Sequence, residues 1–209
     1  MGDMSQAKLV EDLQLMLKDA KDKFGSDATQ FERLLDFSLT DISRVRPRRL
    51  VGTVILQAGV GEYLAPTDMV NLDFPLWGNA ERRTRRPWES NHPGRAPSAT
   101  VFGDAGSKMI ALSPPPSATH IADLGTDYKF YYRALHVIGV TKEDTTVAEA
   151  DRSLLLIRAC AQAMNELAAN NITKPVSLGN AGVGSMPKNG TPAALSENLM
   201  KLFESMANA

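Results

Sequence analysis

The longest apolar stretch of the chain, residues 146–170, repeats its large side chains at helical spacing. Its polar residues fall on one narrow stripe of the predicted helix: Arg158, Gln162, Asn165 and Glu166. A helix that is apolar over most of its circumference packs on several sides, so we expect this helix at the centre of the fold. Thr146 stands three residues before Glu149, and this spacing predicts a capping box at the start of the helix.

Two shorter amphipathic helices are predicted before this central helix. The first covers residues 6–23, and Gly25 ends it. Asp27 can cap the second helix, whose apolar face recurs at helical steps. The second helix ends by Val45, because Pro47 excludes helical geometry for the residue that precedes it. The short connection predicts that the two helices pack antiparallel.

The apolar pattern then changes from a helical to an alternating period. Residues 50–57 and 62–64 flank a glycine-containing turn and predict a β-hairpin. Further short strands are predicted at residues 100–102, 108–112 and 120–122. The clearest alternation runs over residues 128–140, where an aromatic face includes His136.

A last amphipathic helix follows residues 177–191, which hold four glycines and one proline and predict a flexible connector. Thr191 is expected to cap this helix, with Pro192 in its first turn. Its apolar stripe is the predicted docking surface for a partner: Leu195, Leu199, Leu202, Phe203 and Met206. The alternative is that the stripe packs on the core of its own chain.

Together these patterns predict an α+β protein. It consists of a helical bundle (two N-terminal helices plus the long central helix), an inserted antiparallel β region and a tethered C-terminal helix. We expect residues 1–48 and 126–175 to form the bundle core. Residues 49–125 form the β-rich insertion with an arginine- and proline-rich loop, and residues 176–209 form the linker and the docking helix.

The composition is ordinary for a globular protein, with 43% hydrophobic residues, 22% charged residues and a net charge of −1. The single cysteine, Cys160, argues against a disulfide framework and is typical of a reducing compartment. No apolar run approaches the roughly 20 residues that a membrane span requires. The polar N-terminus does not resemble a secretory signal. We therefore expect no membrane association.

The sequence patterns that carry chemistry are incomplete. The glycine-rich residues 179–185 lack the lysine that a phosphate-binding loop requires. The histidines have no metal-ligand spacing with each other or with Cys160: His92, His120 and His136. We therefore expect no enzymatic activity, no cofactor and no metal site.

Arginines cluster in two places. One cluster lies where the second helix meets the β region: Arg44, Arg46, Arg48 and Arg49. The other lies in a loop near two tryptophans: Arg82, Arg83, Arg85, Arg86, Trp77 and Trp88. Arginine with tryptophan suits nucleic-acid contact, but it equally suits the anchors of a protein interface or a solvated loop. The near-neutral charge lacks the footprint of a free-standing DNA binder, so we favour an interface.

Three segments in this order carry a resemblance to a known family. They are Leu39-Thr40-Asp41-Ile42-Ser43-Arg44-Val45-Arg46-Pro47, then Glu62-Tyr63-Leu64-Ala65-Pro66-Thr67-Asp68, then Tyr132-Arg133-Ala134-Leu135-His136-Val137-Ile138 before the long helix. Over residues 6–170 the chain resembles the head-to-tail adaptor (connector) proteins of tailed bacteriophages, which have a helical-bundle core and a β insertion.

The resemblance implies a structural virion protein that forms a ring, typically twelvefold, under the portal protein. Such a ring extends the DNA channel and joins capsid to tail. The implied partners are the portal protein, neighbouring copies in the ring, a tail or stopper (nozzle) protein and the passing DNA. The implied location is the virion neck, after assembly in the host cytoplasm.

In such an adaptor, the C-terminal helix would dock on the portal. The arginine loop would contact a neighbouring subunit, a partner protein or DNA. Two alternatives stay open: another tail or neck component, such as a terminator or baseplate protein, and a nucleic-acid-binding regulator that uses the arginine loop.

Overall fold

A computed structural model describes residues 2–25, 27–79, 85–86, 88–89, 92, 94–103, 107–172 and 191–208 of the 209-residue chain. The chain divides into two compact units. The helical unit comprises Met1–Arg46 and His136–Ala209, and the β unit comprises Pro47–Leu135. Helices and antiparallel sheets occur together, which confirms the predicted α+β class. The predicted linker at residues 176–190 lies outside the described residues.

The described elements follow one another in this order: α1 (Gln6–Leu17), a 3₁₀ helix (Lys18–Phe24), α2 (Ala28–Val45), β1 (Arg48–Ile55), β2 (Glu62–Leu64), β3 (Met69–Pro75), β4 (Ser98–Phe102), β5 (Met109–Ser113), α3 (Ala118–Leu124), β6 (Asp127–Ala134), a 3₁₀ turn (Glu149–Asp151), α4 (Arg152–Ile172) and α5 (Pro192–Ala207).

Helix α4 lies at the centre of the helical unit, as its apolar circumference predicts. Leu155, Ala159 and Ala163 on α4 are fully buried. They belong to one core cluster with Leu13 of α1 and Leu34 of α2. Burying each leucine side chain contributes about 1.5–3 kcal/mol, so the packing around α4 is the main stabilising contribution in this unit.

Two of the predicted helix ends are wrong in detail. The α-helical part of α1 ends at Leu17, because Lys18 adopts a positive φ of 49°, and a 3₁₀ helix follows. The predicted capping box of the central helix does not form. The hydroxyl of Thr146 instead accepts a hydrogen bond from the amide of Val137, and Glu149 accepts one from the amide of Gly2. Helix α4 therefore begins at Arg152.

The caps of the other two helices are confirmed. The carboxylate of Asp27 accepts a hydrogen bond from the amide of Thr29 at the start of α2, at 3.1 Å. The hydroxyl of Thr191 accepts one from the amide of Ala194 at the start of α5, with Pro192 in the first turn. Both caps satisfy amides that have no partner within the helix.

Charged side chains tie α4 to its neighbours. The Arg158 Nε atom donates to Asp41 of α2 at 2.7 Å. The guanidinium of Arg33 on α2 donates to both carboxylate oxygens of Glu166, at 2.9 and 2.6 Å. Arg152 at the start of α4 donates to Asp12 of α1. These pairs fix the rotation of α4 about its axis and its position along that axis relative to α1 and α2.

The β unit contains two three-stranded antiparallel sheets, with strand orders β1-β6-β3 and β2-β5-β4. The central strand β6 turns one face into the core, and Tyr128, Phe130 and Tyr132 on this face are buried, as the alternation predicts. Gly52 of β1 lies opposite Phe130, and a Cβ atom at Gly52 would stand 2.5 Å from the Phe130 ring. A glycine is required at this position because the ring occupies the space of a side chain.

The strand predictions are wrong in three places. Strand β1 pairs with β6, and β2 pairs with β5, so residues 50–57 and 62–64 do not form a hairpin with each other. Residues 120–122 lie in helix α3, where Ser117 and His120 form a capping box. Strand β6 ends at Ala134, so His136 lies outside it and belongs to the helical unit.

The hydroxyl of Tyr128 generates a first prediction. It is buried without a hydrogen-bond partner among the described residues, and burial raises the pKa of Tyr128 to about 12. A buried unpaired hydroxyl costs about 1–3 kcal/mol, so Tyr128→Phe is expected to raise the free energy of unfolding by about 1 kcal/mol. Urea unfolding monitored by circular dichroism measures this change.

The matched control for that measurement is Tyr132→Phe. The Tyr132 hydroxyl donates to Asp68 at 3.0 Å, so its removal is expected to destabilise by about 1 kcal/mol. If both substitutions destabilise the protein equally, the Tyr128 hydroxyl must have a hydrogen-bond partner, which would contradict this interpretation.

The pair between Arg33 and Glu166 generates a second prediction. Its hydrogen bonds lower the pKa of Glu166 below the ordinary 4.5. The stabilisation is therefore complete above pH 4.5 and is lost as the pH falls through the lowered pKa. Glu166→Gln is expected to reduce stability at neutral pH by about 1 kcal/mol or less, and the difference from wild type should vanish in acid.

Urea unfolding across this pH range checks the Glu166 prediction. Asn165→Ala, which changes an exposed uncharged residue next to Glu166 on α4, is the control and should leave the pH profile unchanged. If Glu166→Gln and the wild type show the same free energy of unfolding at every pH, the pair does not contribute to stability.

Candidate functional site

The C-terminal helix α5 lies on its own helical unit, which is the alternative that the sequence left open. Phe203 is 5% exposed, and Leu199 and Met206 pack against the core cluster. Leu195 and Leu202 remain 40% and 47% exposed. The predicted docking stripe is thus divided between an inner part that the chain itself covers and an outer part that faces solvent.

Arg46 holds the C-terminal end of α5. Its guanidinium donates to the carbonyl oxygens of Ala207 at 2.8 Å and Met206 at 3.3 Å, and its Nε atom lies 3.6 Å from the carboxylate of Asp151. A cation at this position also complements the negative end of the helix dipole. Arg46 was predicted as a subunit or DNA contact, and that role stays a prediction; within the chain, Arg46 clamps the end of α5.

The remaining arginines of the first cluster lie beside carboxylates. Arg44 is exposed and lies 3.3 Å from Asp41 on the same helix. In the β unit, Arg48 lies 3.7 Å from Asp68, and Arg49 lies 3.2 Å from Asp73. Each of these two aspartates lies some 20 residues after its arginine in the sequence. Because the aspartates offset the arginine charges, the cluster carries less uncompensated positive charge than the sequence suggests.

The arginine and tryptophan loop is described only in part, because Arg82 and Arg83 lie outside the described residues. Trp77 is 4% exposed and donates from its indole nitrogen to the carbonyl of Gly125 at 3.0 Å. It is therefore a core residue whose ring is unavailable for stacking on a partner, contrary to its predicted contact role.

Arg86 and Trp88 form the described exposed part of this loop. The guanidinium of Arg86 lies 5.4 Å from the centroid of the Trp88 ring, and Trp88 is 76% exposed. Arg85 is engaged in an interaction of its own. A cation over a solvent-facing tryptophan is an arrangement that suits a protein or a nucleic-acid contact.

The β1-β6-β3 sheet carries an apolar row that the sequence patterns do not reveal. Val51, Tyr131 and Phe74 follow one another across the three strands. Val51 is 55% and Phe74 49% exposed, and the rings of Phe74 and Tyr131 are tilted at 52° to each other with centroids 5.0 Å apart. We call these three residues the outer row. Finding it requires the register of β1 and β3 on β6, which alternation alone does not provide.

An open groove of about 480 Å³ runs between α4 and α5. Polar residues that line it include Gln162, Asn165 and Lys201. The buried cation of this groove, Arg158, is paired with Asp41 and lies over the Phe37 ring at 4.9 Å. Its charge is therefore already compensated within the chain.

The candidate reactive residues have structural roles. The His136 ring contacts the carbonyl oxygens of Arg46 at 2.7 Å and Thr146 at 3.1 Å. Burial raises the pKa of the Cys160 thiol to about 12, which disfavours a reactive thiolate. Among the described residues, no group of three or more His, Cys, Asp or Glu side chains could hold a metal ion. None of the described helices has the length and apolar character needed to cross a membrane.

Comparisons with known proteins show no family and only weak structural likeness. No family model matches the sequence, and no curated protein matches it. The chain is similar to a chain in the neck of a native GTA particle, a structure computed with C12 symmetry. The match has 11% sequence identity and a TM-score of 0.27, and it covers 91% of this chain and 89% of that chain. A TM-score of this size does not establish a common fold.

The Arg46 clamp generates a third prediction. Arg46→Ala removes two charge-assisted hydrogen bonds to the end of α5, at a cost of about 1 kcal/mol for this partly exposed group. We expect the amides of α5 to exchange hydrogen about fivefold faster. Hydrogen–deuterium exchange with mass spectrometry measures this rate.

Arg44→Ala is the control for the clamp, because Arg44 is 75% exposed and pairs only within α2 among the described residues. It should leave exchange in α5 unchanged. If both variants leave α5 equally protected, the contacts of Arg46 do not hold the helix.

Proposed function

We propose that this chain is a structural protein of the virion neck, a head-to-tail adaptor that forms a ring under the portal protein. In this role it extends the DNA channel and joins the capsid to the tail, without enzymatic activity. The proposed ring is twelvefold, as is typical of the adaptors that the sequence resembles. The proposed tail-side partner is a tail or stopper protein.

The observation that carries the proposal is the insertion of the β unit into the helical unit. The chain leaves the helical unit at Arg46 and re-enters it at His136, between α2 and α4. This order of two helices, a β insertion, a long helix and a C-terminal helix is the order on which the resemblance to the adaptors rests. The likeness to the GTA neck chain is too weak to support the proposal.

The exposed half of the α5 stripe supports the proposed portal contact. Leu195 and Leu202 expose large apolar side chains on a helix that is otherwise anchored by Phe203 and Arg46. A preordered helix loses little conformational entropy on binding, so two such leucines are suitable anchors for a groove of the portal. The helix can bind in this way without leaving its own core.

The outer row and Trp88 support contacts between neighbouring copies or with other neck proteins. Aromatic residues and arginine are enriched at the centres of protein interfaces. On the sheet, Arg49 and Arg133 flank the outer row, and both lie beside the carboxylate of Asp73. This neutralisation favours a protein contact over a DNA contact for this face.

The DNA-binding alternative receives one supporting observation, the exposed pair of Arg86 and Trp88. An aromatic ring beside a cation is a known platform for nucleic-acid bases. The acidic partners of Arg48 and Arg49 weigh against an extended phosphate-binding surface, so the structural role is preferred.

A fourth prediction tests the portal contact. Leu195→Glu with Leu202→Glu places two carboxylates on the exposed stripe and is expected to weaken binding to the portal protein of the same particle at least about tenfold. Both leucines are exposed, so the variant should keep its fold, which circular dichroism verifies. Surface plasmon resonance on the immobilised portal measures the affinity.

The matched control carries the same two charges on α1, where Leu15 and Met16 are 65% and 45% exposed. Leu15→Glu with Met16→Glu should bind the portal as wild type does. Unchanged affinity of the α5 variant would exclude the proposed docking role of these leucines, and binding to isolated tail tube instead of portal would favour the terminator alternative.

A further inference from the structure

Strand β1 forms an edge of the β1-β6-β3 sheet. It pairs with β6 over all eight residues from Arg48 to Ile55, with no shift of register. Residues 50–55, Leu-Val-Gly-Thr-Val-Ile, contain no charge and no proline. No hydrogen bond from another described residue reaches the free side of this strand.

The opposite edge of the same sheet is protected. The register of β3 on β6 shifts between Met69 and Asn71 and again between Leu72 and Phe74, and the strand ends at Pro75. Bulges and proline are devices by which proteins prevent unwanted pairing at a sheet edge. A sheet that is protected at one edge and regular at the other indicates that the regular edge receives a strand.

We propose that the free protein forms a two-fold dimer in which β1 pairs with β1 of a second copy, antiparallel and centred on Gly52. The two sheets then become one continuous six-stranded sheet. The inference goes beyond the proposed function, because neighbours in a cyclic ring contact each other head to tail, whereas this contact is two-fold. It describes the free chain before assembly.

The sequence of β1 is self-complementary in this register. Pairing about Gly52 places Val51 opposite Thr53 of the second copy, and Leu50 opposite Val54. The two-fold symmetry makes each pair occur twice. In each pair both residues lie on the same face of the sheet, as antiparallel pairing requires. The partly buried Leu50 and Val54 pack against the core of the β unit, so the apolar layer would continue across the contact.

The charges at the two ends of β1 also favour an antiparallel arrangement. Arg48 and Arg49 begin the strand, whereas Asp127 lies opposite Ile55 at its other end and has no cationic partner among the described residues. Antiparallel pairing places Arg49 of one copy opposite Ile55 of the other, two strands from Asp127 at roughly 10 Å between backbones. Parallel pairing would instead bring the arginines of both copies together.

The test combines mass measurement with two charge variants of the free full-length chain. Sedimentation velocity is expected to show a concentration-dependent species of twice 22.7 kDa. Val51→Lys with Thr53→Lys places like charges directly opposite each other twice and should weaken the dimer at least about tenfold. Val51→Lys with Thr53→Glu places opposite charges in the same positions and should dimerise as wild type does or more tightly.

The control for the added charge is Leu15→Lys with Met16→Lys, which adds two lysines to exposed positions of α1. It should leave the dimer unchanged. A wild-type chain that stays monomeric at the highest soluble concentration would overturn the proposal, as would equal masses for the two Val51/Thr53 variants. Because no portal is present, these outcomes are independent of whether the chain binds a portal.

Discussion

The packing of α4 against α1, α2 and α5 sets the geometry of the helical unit. Helix α4 buries apolar side chains around most of its circumference, so its neighbours must enclose it. Hydrophobic burial has no direction, whereas the pairs of α4 with Asp12, Asp41 and Arg33 do. The apolar surface thus supplies the stability, and the charged pairs at three levels of α4 select one arrangement of the helices.

The position of α5 follows from the same constraint. Phe203 covers part of α4, and Arg46 at the end of α2 fixes the last turn of α5. Anchoring one side of an amphipathic helix leaves the other side to present Leu195 and Leu202 in a defined orientation. Helix α5 is therefore not a freely moving segment. It forms part of the ordered surface of the helical unit.

Local patterns in the sequence predicted the helices and the face of β6, because caps and periodicity are set within a few residues. Asp27, Thr191 and the aromatic row of β6 belong to this group. The pairing of β1 with β6 was not predictable in this way, since about 75 residues separate the two strands and short strands carry no signal of their partner. The contacts of Trp77 with Gly125 and of Arg46 with Ala207 were not predictable for the same reason, because these partners are distant in sequence.

The central claim is that this chain is a structural component between capsid and tail. A cryo-EM reconstruction of the virus particle that contains this chain tests it most directly. The account predicts density for both units, repeated in a ring between the portal and the tail, with the α5 surface facing the portal. Density for the chain elsewhere in the particle, or purified particles that lack the chain, would contradict it.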